Sequence, residues 1–306
     1  MTEKGGKSTI LCILIRKNNV IFRMAGISDY FTHDKSMFTG SGLEFYVFDN
    51  RKTASFVQDC LIPFREAYIT EEKLTHIVSH FPTTRIEAIS KRLPRKGMVM
   101  SGDFGEILSF YLACQIWAPM ANVLPMKWRF KDSKKDASKY TDIILFSLLD
   151  PNNPSENDAM FTYEVKTCAT ALGNNIYQIH KRPSFITYKD GKKECTILEA
   201  VFDANNDAVE RAAETIPYLL TRCEDENLYD LHKQIFRFKN AEKVTYQKEY
   251  NAVAVVDSST LEEQIARMPS DLLTVHSNVK NVYCVPMEGL KSVYERVYAE
   301  MCKQAK

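Results

Sequence analysis

The sequence predicts an α/β protein in which a mixed sheet is flanked by helices, preceded by an N-terminal α/β extension. Three observations carry that reading. TDIILFSLL (141–149) is almost entirely apolar, as a strand buried on both faces must be. FTYEVKT (161–167) alternates with period two, placing Phe161, Tyr163 and Val165 on one face and Thr162, Glu164 and Lys166 on the other. EGLKSVYERVYAEMCK (288–303) instead repeats its apolar residues at helical spacing.

The remaining elements follow in chain order. Residues 1–95 form the N-terminal α/β region, which is expected to pack on the core or to bind a partner, and 96–306 form the main domain. Within the first region, Ile10 to Ile15 and Leu43 to Phe48 read as strands, while Lys52 to Phe64 and Thr70 to His80 read as helices. Pro63, Pro82 and Pro94 punctuate it, and LPRKGMVMSG (93–102) reads as a linker. SGDFGEILSFYLACQIW (101–117) is a buried helix, with Asp103 near its start suiting the helix dipole. MKWRFK (126–131) alternates as a strand, followed by the strands TDIILFSLL and FTYEVKT across the turn DPNNPSEND. Asn206 to Phe236 reads as interrupted helix, NAVAVVD as a strand, SSTLEEQIARM as a helix and NVYCVP as the last strand. Helices alternating with strands in this way build a layered α/β structure.

Bulk properties narrow the function classes. Over 306 residues the net charge is only +1, so any nucleic-acid surface must be local. The eight cysteines form no CxxC pair and no metal-binding spacing, which fits reduced thiols in a cytoplasmic protein. No apolar run reaches the length needed to span a bilayer, so no membrane partner is expected.

Two motifs fail on inspection. EKGGKST resembles a phosphate loop, but that pattern needs a glycine where Met1 stands, and no strand precedes it. His76 and His80 share a helical face, yet the inner glutamate of a zinc-protease helix is missing, so they read as surface or packed histidines. Neither a GxSxG elbow nor a GxGxxG loop occurs.

The chemistry therefore concentrates in a set of acidic residues with one lysine. Glu106 lies within a helix, Asp142 opens a buried strand, and Glu164 and Lys166 share one face of the next. A hairpin between those two strands would bring Asp142 beside Glu164. Buried carboxylates need a partner or a metal, and hard oxygen donors suit Mg²⁺, with Mn²⁺ as a substitute. Such a metal polarises a phosphodiester and acidifies a bound water, while a lysine orients that water or stabilises the developing charge.

This order of residues resembles the PD-(D/E)xK nuclease superfamily, and so implies a restriction-endonuclease-like core. Asp142 matches the first acidic position, with Thr141 where proline often stands; Glu164-Val165-Lys166 matches the (D/E)xK tripeptide; Glu106 resembles the helical glutamate many members carry. Residues 95–170 resemble more closely the HamA family, the nuclease subunits of Hachiman anti-phage systems. That resemblance implies a Mg-dependent defence nuclease working with a helicase, HamB, with Glu106, Asp142, Glu164 and Lys166 catalytic and the three carboxylates binding metal.

For the nucleic acid, DNA favoured, the strand reading of MKWRFK puts Lys127, Arg129 and Lys131 on one face, and the following loop adds Lys134, Lys135 and Lys139. KRLPRKG contributes Lys91, Arg92, Arg95 and Lys96. Trp128 and Phe130 read as core. A catalytically quiet nuclease fold that docks on a helicase or nucleic acid is the alternative from another class.

Overall fold

The computed structural model describes residues 26–37, 42–131, 140–170, 195–239, 245–268 and 278–303. The phosphate-loop-like start, the strand-like run Ile10 to Ile15, and Lys134, Lys135 and Lys139 lie outside them.

Six strands among these residues make one sheet: β1 (Phe31–Asp34), β2 (Glu44–Phe48), β3 (Ile143–Ser147), β4 (Ala159–Cys168), β5 (Gln247–Asp257) and β6 (Val279–Met287). Their spatial order is β1-β2-β6-β5-β4-β3. The outer pairs β1–β2 and β3–β4 are antiparallel, and the β2–β6, β6–β5 and β5–β4 pairs are parallel. The sheet is thus mixed, as the sequence implies. β1 and β2, which precede residue 95, extend the same sheet as the later strands.

Helices cover both faces. On one side lie α1 (Thr53–Tyr68), α4 (Met98–Leu112) and the C-terminal helix α9 (Leu290–Lys303), against Ile143, Leu145, Phe161, Tyr163, Val165, Val253 and Val255. Two short helices, α2 (Glu71–His80) and α3 (Arg85–Ser90), pack on each other, and α3 also packs on α9. Thr70 caps α2 and Thr84 caps α3, each hydroxyl taking an otherwise orphaned backbone N–H. On the other side α5 (Thr196–Asn206) covers Ala252, Ala254 and Val256. α6 (Ala208–Asp225) and α7 (Tyr229–Phe236) cover Ile144, Phe146 and Met160, and α8 (Leu261–Arg267) follows β5.

The alternation in FTYEVKT is therefore real: its odd residues enter the α1–α4–α9 layer and its even residues face α5 and α6. Three expectations need correction. MKWRFK is not a strand but a 3-10 turn over Lys127–Phe130. Its lysines bend inward, Lys127 toward Glu106, Asp142 and the Thr141 carbonyl and Lys131 toward Asp103, and Val123 rather than this segment bridges Phe146 on β3. α4 begins at Met98, so the expected linker shrinks, and Asp103 lies beyond the first turn where the helix dipole acts. α5 was not anticipated from sequence. Among the described residues no helix is long and apolar enough to cross a membrane.

Candidate active site

The β3–β4 ladder pairs Ile143 with Tyr163, so Asp142, one residue earlier, stands across from Glu164. A hydrogen bond fixes it there: the Val165 N–H donates to Asp142 Oδ2 at 2.8 Å. Glu164 is fully buried. Its Oε2 accepts from Arg211 on α6, while its Oε1 has no hydrogen-bond partner among the described residues. Burial first, then the charge of Asp142, pushes Glu164 well above the usual carboxylate range, against the pull of Arg211 and Lys127.

Glu106 reaches the same end of the ladder from α4. That helix approaches β4 closely, because a Cβ on Gly105 would overlap Thr167 Oγ1 and lie 3.2 Å from Thr167 Cβ. Only glycine permits the contact, and it sets the next residue, Glu106, beside the ladder. Glu106 Oε2 accepts from the Trp128 indole N–H at 2.9 Å and lies 3.7 Å from Lys127 Nζ. The same ammonium donates to the Thr141 carbonyl at 2.5 Å and stands 3.9 Å from Asp142 Oδ1. Lys127 thus bridges Glu106 and Asp142 from a buried position.

Lys166, on the Glu164 face of β4, turns to α5. Its Nζ is 2.6 Å from Asp203 Oδ2 and 3.7 Å from Glu199 Oε1. Burial lowers its affinity for a proton, but the charge and hydrogen bond of Asp203, with Glu199, outweigh that, and the group is held above its ordinary range. Lys166 is therefore a firmly charged ammonium.

Glu106, Asp142, Glu164 and Lys166 all belong to this one cluster. Among the described residues no three His, Cys, Asp or Glu side chains stand close enough together to hold an ion. Lys127 stands between Glu106 and Asp142. The Asp142–Glu164 pair does fit a hard divalent cation, since Glu164 Oε1 is buried without a partner and Mg²⁺ is commonly held by one or two carboxylates plus waters.

The expected basic stripe along residues 127–131 does not form. Lys127 is buried, Arg129 Nε donates to the Glu66 carbonyl at 2.9 Å, and Lys131 pairs with the buried Asp103, which also accepts from Tyr68. Trp128 and Phe130 are buried, as the sequence suggests. His76 and His80 stack on each other at 4.2 Å on the outside of α2.

Sequence reasoning missed four participants: Lys127 in this role, Arg211, Glu199 and Asp203. The last two carried a signal, being four apart on one helix face. Arg211 carried none, because its partner Glu164 lies 47 residues away.

The chain is also recognisable by comparison. The family model described as HamA matches residues 28–301, nearly its whole length. No curated protein matches it.

Proposed function

The chain belongs to the HamA family, components of Hachiman anti-phage defence, and we propose that within it this protein is a metal-dependent nuclease. The observation that carries the reading is the Asp142–Glu164 pair at one end of the β3–β4 ladder, with an unpartnered Glu164 oxygen and a charged lysine on the same face. Asp142 and Glu164 hold Mg²⁺ or Mn²⁺, which supplies Lewis acidity to a phosphodiester and acidity to a bound water.

The chain's own groups do the rest. The Val165 N–H fixes the Asp142 carboxylate, so the ligand pair is preorganised. Arg211 and Lys127 keep the acidic cluster tolerable before an ion arrives. Lys166 supplies a compact positive charge that orients the attacking water or steadies the charge growing on phosphorus-bound oxygens. Glu106 acts from α4 as a positioning group through Lys127 and Trp128. We assign DNA as the favoured substrate, the cytoplasm as the location and the helicase HamB as the partner that admits or restrains substrate.

A second reading has its own support. Lys127 and Arg211 already neutralise the carboxylates, which suits a quiet nuclease fold that docks on a helicase or on nucleic acid. The deciding experiment measures cleavage of labelled duplex and single strand with Mg²⁺ and partner present. Lys166→Ala is expected to lose about 10²–10³ in rate while keeping its fold. A folded Lys166→Ala protein that cleaves at the wild-type rate overturns the assignment.

A further inference from the structure

A cavity of about 350 Å³ opens beside Trp128, between α2, α3 and the 127–130 turn. Ile77 and Ala88 give it an apolar floor, Trp128 one wall, and Lys91, Arg92 and Lys131 three cations. No carboxylate lines it among the described residues. A concave, low-dielectric wall carrying one sign of charge concentrates the opposite sign.

The cations are available. Lys91 is exposed and Arg92 half-buried, and neither forms an ion pair with a described carboxylate. Glu87, one turn before Lys91 and under its charge, is committed to the cap of α3, where it accepts from the Thr84 N–H at 2.8 Å. Lys131 has a side chain only 8% exposed and gives one hydrogen bond to Asp103, which does not line the cavity. An ammonium has three donors, so two remain for a ligand.

We propose that this cavity binds the phosphate of a nucleotide unit. The guanidinium of Arg92 offers paired donors that match phosphate oxygens, and the two ammonium groups add point charges. The volume falls near the lower end for small-ligand sites, about 300–1,000 Å³, which suits one nucleotide and not a duplex. Trp128 is itself too buried to stack a base, so the phosphate is the recognised group. The cavity reaches the candidate active site through two contacts: the Trp128 indole N–H holds Glu106, and Lys131 holds Asp103 one turn earlier on α4. Binding stands apart from the nuclease reading; only that coupling rests on it.

The test uses the full chain in chelator, so that metal and cleavage play no part. A 5′-deoxynucleoside monophosphate, the matching nucleoside and a short single-stranded oligonucleotide are titrated by calorimetry and by tryptophan fluorescence. The monophosphate is expected to bind with salt-sensitive affinity and the nucleoside not at all. Lys91→Gln combined with Arg92→Gln should weaken binding at least tenfold. Binding of the oligonucleotide alone, lost in the double variant, supports the site and identifies its ligand as a nucleic-acid strand. Equal binding of nucleoside and nucleotide overturns the proposal, as does wild-type affinity in a folded double variant. So does failure of both phosphate-bearing probes to bind wild type at millimolar concentration, a result that leaves the Lys166 experiment untouched.

Discussion

The two faces of β4 are alike in burial and opposite in chemistry. Phe161, Tyr163 and Val165 enter an apolar layer, where Tyr163 lies 5.8 Å from the Trp117 ring and 6.3 Å from that of Tyr283. Thr162 and Glu164 on the other face are fully buried too, and Lys166 is held by α5. Burying the first face removes apolar area from water and stabilises the fold. Burying the second takes carboxylates and ammonium groups out of water and offsets that cost only through Arg211, Lys127, Asp203 and Glu199. A strand built for stability alone would carry valine or isoleucine on both sides. On the proposed reading, the polar face is where the fold yields stability to chemistry, and substitutions on the two faces should part company.

The largest effect is expected on the apolar face. Tyr163→Ala removes a buried aromatic ring and should cost about 3–5 kcal/mol in urea unfolding. Its effect on cleavage should follow only the fraction of folded protein. A Tyr163→Ala protein with native stability would break the contrast between the faces.

Next is Glu164→Gln, which keeps shape and removes charge. Since burial already disfavours the carboxylate, stability should change by no more than about 1 kcal/mol despite complete burial. What should vanish is metal linkage. With Mn²⁺ at a hundred times its Kd, wild type should gain about 2.7 kcal/mol, read as a raised Tm, and the glutamine variant nothing. A variant that keeps the full metal-induced shift would place the ion elsewhere.

The same contrast explains what could be read from the chain. FTYEVKT was legible because period two is a local property, and the short turn after β3 made an antiparallel pair with Asp142 opposite Glu164 the natural outcome. MKWRFK also alternates, yet it folds as a 3-10 turn. What decides it is α4, whose buried Asp103 and Glu106 draw Lys131 and Lys127 inward, a long-range demand that no window of residues 126–131 contains. Gly105 illustrates the same limit. Its role is set by Thr167, far along the chain, and only the packed helix reveals it. Glu199 and Asp203, four apart, carry a hint of an acidic helix face, but neither α5 nor its lysine partner was read from the sequence.

The smallest predicted effect sharpens the comparison most, because it concerns a residue outside β4 that pairs with its polar face. Asp203 holds Lys166 at 2.6 Å, and both side chains remain partly exposed, at 22% and 25%. Loss of such a pair should change stability by no more than about 1 kcal/mol. If Asp203 positions the ammonium, Asp203→Asn should lower the cleavage rate about tenfold, equivalent to about 1.4 kcal/mol of barrier. KM should stay unchanged and Asp203→Glu should restore part of the rate. Glu199→Gln, removing the longer 3.7 Å contact, should have the weaker effect. If α5 instead draws Lys166 away from the reacting phosphate, Asp203→Asn should cleave faster than wild type. The sign of one rate change therefore decides whether α5 arms the lysine or restrains it. An unchanged rate would mean that the polar face of β4 needs no support from α5.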